Sequence, residues 1–334
     1  CLPKTAWPPT LVCIHVSFPG QAGQLVKVLA RCAVPFFFMV SGYFCYYQNC
    51  NASKRILSKI LHIMKLFAVS VVFYFIWECF MKAWNGERVW TWIKGLVSTE
   101  HLKEFFVYNS TSPVRAHLWF LPALIYCYLF ALLIEKWRMR KAAYCLVPVL
   151  LVILLWRAEF CVLFDRFYHT MEYRNFLFTG MSFFLTGQMI HEYQDKIGCK
   201  RQEQWMQWGL KAGMIFGVTL SMIEYAFRGA GEIYTGNCVA VICLFLWLIL
   251  YGREINFPSV LVETERKYAF LIYLLHPALS DLLKKCSESL GVSNCQIYFW
   301  LRPVLVYVLT VMTVSCISAV SAYARQNILQ NNHV

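Results

Sequence analysis

Long apolar runs follow one another along the chain and are separated by short polar segments. A helix that crosses the roughly 30 Å hydrocarbon core of a bilayer needs about 17–25 mostly apolar residues. Runs of this kind predict spanning helices at about residues 3–19, 24–47, 59–82, 118–135, 142–163, 175–191, 206–227, 235–252, 267–285 and 297–323. The pattern therefore predicts an all-α, polytopic membrane protein with about ten transmembrane helices.

The composition supports this prediction and adds to it. Of the 334 residues, 59% are hydrophobic and 15% are charged, whereas soluble domains average roughly 45–50% and about 25%. No repeat, low-complexity tract or soluble domain interrupts the pattern, so we expect a single membrane domain over residues 1–334. The chain begins at Cys1 rather than Met, and we expect its start to have been trimmed. Pro8 and Pro9 would kink or break the first span.

The basic residues lie mostly in the loops between spans, where they orient the helices. An even number of spans places both termini on one side. Fifteen Lys and Arg residues fall on that side and eleven on the other, which predicts that both termini are cytoplasmic. The net charge of +13 is thus explained by membrane orientation and anionic headgroups, and no nucleic-acid partner is expected. The cysteines form no zinc-type spacing, so no metal site is predicted.

Ionisable residues inside spans are costly and indicate function. His15 lies eleven residues after Lys4, about 16 Å along a helix and close to the middle of the bilayer. A neutral imidazole can accept a proton there; the alternative is a packing histidine bonded to neighbouring backbone. Arg31 is expected to be buried in the outer half of the second span, while Lys27, on the same helix face, reaches towards the surface.

Further polar residues lie towards the expected outer ends of the spans. His276 lies at a depth close to that of His15. Each residue alone could be an ordinary polar group at a helix end, but together they predict an outward-facing polar vestibule above His15. Its members are Glu78, His117, Trp119, Arg174, Glu224, His276 and Asp281.

Four segments, in order, resemble the motifs of the acyltransferase family 3 membrane proteins. They are Lys4-x10-His15, Arg31-Cys32-Ala33-Val34-Pro35-Phe36-Phe37-Phe38 leading to Ser41-Gly42-Tyr43, His117-Leu118-Trp119-Phe120-Leu121-Pro122, and Ile272-Tyr273-Leu274-Leu275-His276-Pro277. The resemblance extends over about residues 4–320. The number of predicted spans also matches that of the family.

The resemblance implies an enzyme of the bacterial plasma membrane that acylates extracytoplasmic glycans or other hydroxyl acceptors. Such proteins usually transfer acetyl groups from cytoplasmic acyl-coenzyme A, and no permanently bound cofactor is expected. By this resemblance His15 is the essential histidine, Lys4 its basic partner and Arg31 the buried arginine of the second span. His15 and Arg31 are therefore the expected catalytic residues.

The resemblance also suggests where the two substrates bind. The family's Arg-x-x-Arg after the second span is replaced by Arg55-Ile56-Leu57-Ser58. The remaining cations near the inner surface, expected to hold the donor phosphates, are Lys4, Lys54, Arg55 and Lys59. The residues expected to bind or support the acceptor are Tyr43, Glu78, His117, Trp119, Arg174 and His276.

One stretch supports a different function. Ala33 to Tyr43 also resembles the membrane module of vancomycin-resistance serine/alanine racemases. That resemblance implies serine transport, with the substrate bound near the bilayer midplane, as the alternative to acyl transfer.

Overall fold

A computed structural model describes residues 8–47, 51–112, 114–165, 173–252 and 259–331, and within these ranges every regular element is a helix. The α-helices are α1 (Pro8–His15), α2 (Gly20–Ala30), α3 (Ala33–Tyr43), α4 (Ala52–Trp84), α5 (Val89–Leu96), α6 (Thr99–Tyr108), α7 (Phe120–Lys136), α8 (Arg140–Leu163), α9 (Ser182–Gly198), α10 (Gln204–Arg228), α11 (Thr235–Tyr251), α12 (Ser259–Ser289) and α13 (Gln296–Asn331). A 3₁₀ turn, Ala116–Trp119, leads into α7, and a π-helix, Phe176–Met181, leads into α9.

The all-α prediction is confirmed, and helices occupy all ten predicted spans. Five helical segments are individually long and apolar enough to cross a membrane. They are Gly20–Tyr43, Ala52–Trp84, Ala116–Lys136, Gln204–Arg228 and Gln296–Ser321.

The first predicted span differs from the structure at its end. Pro8 and Pro9 occupy the first two positions of α1, where a missing N–H leaves no helical hydrogen bond unmade, so they begin the helix rather than break it. The helix ends at His15 rather than near residue 19, because Pro19 disfavours helical geometry in the residue before it. Residues 3–7 lie outside the described ranges.

The second predicted span consists of two helices. A turn at Arg31 and Cys32 separates α2 from α3. Pro35 explains the break, because its ring nitrogen has no hydrogen to donate to the carbonyl of Arg31, four residues earlier. Pro35 is tolerated in the first turn of α3, where backbone N–H groups have no partner within the helix.

The chain forms two compact units, residues 1–33 with 252–334 and residues 34–251. In the first unit α12 packs against α13, and α1 packs against α2, α12 and α13. Val12, Val16 and Val306 form a small buried core there. These contacts place the carboxyl end of α1 beside the middle of α12.

In the second unit, glycines allow helices to approach closely. A Cβ atom on Gly42 of α3 would lie 1.9 Å from the carbonyl oxygen of Phe184 on α9. A Cβ atom on Gly187 of α9 would lie 2.0 Å from the carbonyl oxygen of Met39 on α3. No side chain fits at either distance, so these two glycines fix α3 against α9.

The pair α10 and α11 uses the same device. A Cβ atom on Gly217 would lie 2.6 Å from the carbonyl oxygen of Gly236, and one on Gly236 would lie 2.3 Å from the nitrogen of Ser221. Small residues allow such backbone contact between membrane helices, whose association depends on packing rather than on water exclusion.

Gly217→Val is therefore expected to lower the stability of the protein by about 1–3 kcal/mol or more, because the new side chain forces α10 and α11 apart. Thermal unfolding in detergent, followed by tryptophan fluorescence, would measure the change. Gly209→Val on the same helix is the matched control, because a Cβ atom there meets nothing within 4 Å. Equal melting temperatures for the two variants would contradict this account of the contact.

Candidate active site

Two histidines meet in the first unit. The ring centroids of His15, the last residue of α1, and His276, on α12, are 5.2 Å apart, and the ring planes are tilted by 43°. The sequence predicted similar depths for both residues but not their contact. The structure thus brings together two side chains that can each carry a proton.

His276 is the buried member of the pair. It has no exposed surface, and its Nδ1 lies 2.9 Å from the carbonyl oxygen of Ile272, one turn earlier on α12. Because a carbonyl oxygen only accepts, Nδ1 must carry the proton in this contact. The bond fixes the ring orientation and leaves Nε2 as the nitrogen able to accept a hydrogen bond or a proton.

His15 is the exposed member of the pair. It stands at the carboxyl end of α1, where the unpaired helix carbonyls favour a positive charge. Two imidazolium rings this close would repel strongly in a medium of low dielectric constant. The doubly protonated state of the pair is therefore disfavoured.

The depth of the pair can be counted along α12. His276 lies eight residues before Lys284 on α12, which is about 12 Å along the helix axis. Half of a typical hydrocarbon core is about 15 Å. If Lys284 marks one membrane surface, the histidine pair lies near the midplane.

Arg31, the other expected catalytic residue, lies in the same unit as the histidine pair. Its backbone N–H donates to the carbonyl of Lys27, 3.1 Å away, and its side chain is half-buried at the turn that follows α2. Lys4 lies outside the described residues, so its predicted role stays a prediction.

The end of α3 in the second unit is held by four side chains. Carbonyl groups at a helix end have no partner within the helix and must find one elsewhere. Lys59 donates to Phe44 at 2.6 Å, His191 to Tyr43 at 2.6 Å, Gln188 to Cys45 at 3.4 Å and Arg140 to Tyr47 at 2.5 Å. The donors come from α4, α8 and α9, which together fix this end of α3.

Aromatic rings surround the same group of cations. The Lys59 ammonium lies 5.7 Å from the ring centroid of Tyr47 and 5.6 Å from that of Tyr128. Arg140 lies over Tyr46 at 4.7 Å and binds both carboxylate oxygens of Glu135. Burial alone would lower the pKa of Arg140, but its bond to the Glu135 carboxylate raises that pKa above the ordinary value, so the residue stays cationic.

The residues expected to bind the donor therefore differ in their surroundings. Lys59 is half-buried and bonded to backbone, whereas Lys54 and Arg55 are exposed at the start of α4. Lys54 and Arg55 are thus the described members of this set whose charges are accessible.

The opposite end of α4 carries part of the group expected to bind the acceptor. Glu78 forms an ion pair with Arg115 at 2.7 Å, and Arg115 lies over the ring of Tyr74 at 5.4 Å. His117 is buried edge-on against Tyr74, with 4.9 Å between ring centroids. Glu78, Arg115, Tyr74 and His117 therefore form one cluster.

The remaining members of the expected acceptor set lie elsewhere. Trp119 is buried and lies 6.2 Å from the Phe38 ring, and Arg174 binds both carboxylate oxygens of Glu232 at 2.7 and 2.9 Å. Tyr43 lies at the end of α3 that Lys59 holds. Lys59 and Glu78 are 19 residues apart on α4, or about 28 Å, so Tyr43 does not join the cluster around Glu78.

Sequence reasoning missed Arg115, Tyr74 and Arg302. Arg302 donates from Nη2 to the hydroxyl oxygen of Ser280, 3.1 Å away, one helical turn beyond His276. Its position inside the predicted span 297–323 was the available signal. Within the described ranges, no three His, Cys, Asp or Glu side chains lie together so that they could hold a metal ion.

A comparison with known families identifies the class to which this helical chain belongs. The sequence model of the acyltransferase family 3, described as an acyltransferase domain, matches residues 10–322. No curated protein and no solved structure matches the chain. The chain therefore belongs to acyltransferase family 3, a family of polytopic membrane proteins, and it is a transferase that uses an acyl donor.

Lys59→Met is expected to lower stability by about 0.5–1.5 kcal/mol, the net contribution of a typical hydrogen bond, because it leaves the Phe44 carbonyl without its side-chain partner. Lys54→Met, the matched control on the same helix, removes an exposed charge and should leave the melting temperature nearly unchanged. Thermal unfolding of both variants in detergent would test this difference. A Lys59→Met protein as stable as the parent would show that the bond contributes little to stability.

Proposed function

We propose that the protein transfers an acyl group, usually acetyl, from cytoplasmic acyl-coenzyme A to a hydroxyl of an extracytoplasmic acceptor such as a cell-envelope glycan. The proposal places it in the bacterial plasma membrane with both termini cytoplasmic. Family membership supports the transfer of an acyl group. The observation that carries the proposed mechanism is the contact between exposed His15 and buried His276.

In this mechanism neutral His15 takes the proton of the acceptor hydroxyl while the hydroxyl oxygen attacks the thioester carbonyl. The tetrahedral intermediate then collapses, the C–S bond breaks, and the coenzyme A thiolate takes up the proton from His15. The products are the acylated acceptor and free coenzyme A. General base catalysis of this kind is typically worth about 10²–10⁴-fold in rate. In a variant of the same scheme, His15 carries the acyl group covalently between two half-reactions.

His276 and Arg31 support His15 in this scheme. The bond from Nδ1 of His276 to Ile272 fixes one tautomer, so Nε2 faces its surroundings as an acceptor, and the ring contact limits how His15 can turn. Arg31 stabilises the negative charge that develops on the carbonyl oxygen. By the family resemblance alone, Lys4 is proposed as the basic partner of His15.

The two substrates are proposed to bind at opposite membrane faces. Lys54 and Arg55, with Lys59, lie at the start of α4 and would attract the donor phosphates. Glu78 and the neighbouring His117 lie about 28 Å further along the helix, close to the roughly 30 Å of the hydrocarbon core. In this arrangement α4 presents cations to the cytoplasm and an acid–histidine cluster to the acceptor, with Trp119 and Arg174 shaping that outer side.

One feature favours serine transport as a second function. The break between α2 and α3 resembles the discontinuous helices that form substrate sites in transporters. Uptake of labelled serine into proteoliposomes without acyl donor would support transport.

The experiment for acyl transfer uses the full chain in proteoliposomes with acetyl-labelled coenzyme A. His15→Ala is expected to slow the release of label from the donor, to water or to acceptor, by at least about 100-fold, because the base is lost. His276→Ala should also slow it, because His15 then loses the ring that orients it.

The matched control is His62→Ala, which removes an exposed histidine on α4 and should leave the rate near that of the parent. If His15→Ala releases label as fast as the parent does, His15 is not the base and the proposed mechanism fails.

A further inference from the structure

Arg302 is a positive charge inside a helix that is otherwise strongly apolar. It lies six residues after the start of α13 at Gln296, about 9 Å along the axis. The segment that contains it, Gln296–Ser321, is one of the five helical segments apolar enough to cross a membrane. A charge at such a position is costly and requires partners.

The protein supplies only part of what this guanidinium can bind. Its Nη2 donates to the Ser280 hydroxyl at 3.1 Å, while its Nε is buried and has no hydrogen-bond partner among the described residues. An arginine has five N–H donors in a planar fork. The side chain is therefore held in place by α12, and the guanidinium has donors that the described residues do not use.

The direction of the side chain argues against a role in lipid binding. An arginine that serves the membrane surface extends its charged end towards water and headgroups. The Arg302 guanidinium instead bonds to α12, and Ser280 is itself buried. The side chain thus points between the two packed helices of its own unit.

Arg302 lies beside the histidine pair along α12. Ser280 follows His276 by four residues, so the two share a helix face and are about 6 Å apart along the axis. The direction from His276 to Ser280 along α12 leads towards residues 290–295, which join α12 to α13. The charge pattern predicts that this loop is extracytoplasmic. Arg302 therefore lies on the side of the histidine pair from which the acceptor would approach His15. The separation of about 6 Å along α12 is comparable to the length of one sugar unit.

We propose that Arg302, positioned by Ser280, binds an anionic group of the acceptor, so that the acceptor carries a carboxylate or phosphate close to the hydroxyl that is acylated. The inference rests on the proposed function and narrows its acceptor class to acidic glycans or comparable acidic molecules. The fork of the guanidinium matches both oxygens of such a group, and low dielectric surroundings strengthen the attraction. The donor phosphates would enter from the opposite face.

The test compares two sugars that differ at one position, 4-nitrophenyl β-D-glucuronide and 4-nitrophenyl β-D-glucoside. Dissociation constants would be obtained from the rise in melting temperature of the full chain in zwitterionic vesicles, without donor. The parent is expected to bind the glucuronide at least about tenfold more tightly, the usual scale for a hydrogen bond to a charged group. Arg302→Gln should abolish this preference, and Arg302→Lys should retain part of it.

The control is Lys284→Gln, which removes an exposed charge from α12 and should keep the parent's preference. Equal affinity for the two sugars, including no measurable binding of either, would overturn the inference. The inference would also be overturned if Arg302→Gln kept the preference for the glucuronide. The same holds if Arg302→Gln changed only the rise in melting temperature that added phosphatidylglycerol causes. Because binding is measured without donor, this outcome is separate from the His15→Ala result that decides the proposed function.

Discussion

The proposed chemistry depends on the contact between the His15 and His276 rings. A catalytic base must be accessible to its substrate and must also be held in one orientation, and a single side chain at a helix end meets both requirements poorly. Here the exposed ring ends α1, while the buried ring is fixed to the backbone of α12 through Ile272. Because α1 packs against α12 and α13, the pair is supported by the packing of the whole first unit.

Prolines lie close to three polar residues of the proposed site. His276 directly precedes Pro277, Arg302 directly precedes Pro303, and Arg31 lies four residues before Pro35. Each proline deprives the carbonyl four residues earlier of its helical hydrogen bond, and within a bilayer such a group must be satisfied by protein or by enclosed water. Polar side chains and weakened helix backbone therefore occur together, which suits a site that must admit polar substrates.

The sequence predicted much of this architecture, because runs of apolar residues determine which segments span the membrane. It did not predict that Pro8 would begin a helix, since hydropathy does not register single backbone hydrogen bonds. The depth of His15 and His276 could be counted along their helices, but their contact depends on tertiary packing. Arg302 was missed because its hydrogen-bond partner, Ser280, lies on a different helix. Tyr43 was assigned to the acceptor set with Glu78 and His117, which lie at the other end of α4.

The position of Tyr43 also bears on how the two resemblances should be weighed. Gly42 touches the backbone of α9, the Tyr43 carbonyl accepts from His191, and the Tyr43 hydroxyl donates to Gln194 at 2.5 Å. The Ser41-Gly42-Tyr43 motif thus fixes the end of α3 against its neighbours. A motif that secures a helix end serves a transporter as well as a transferase. The distinction therefore rests on His15 and His276, which lie in the other unit and have no counterpart in this motif.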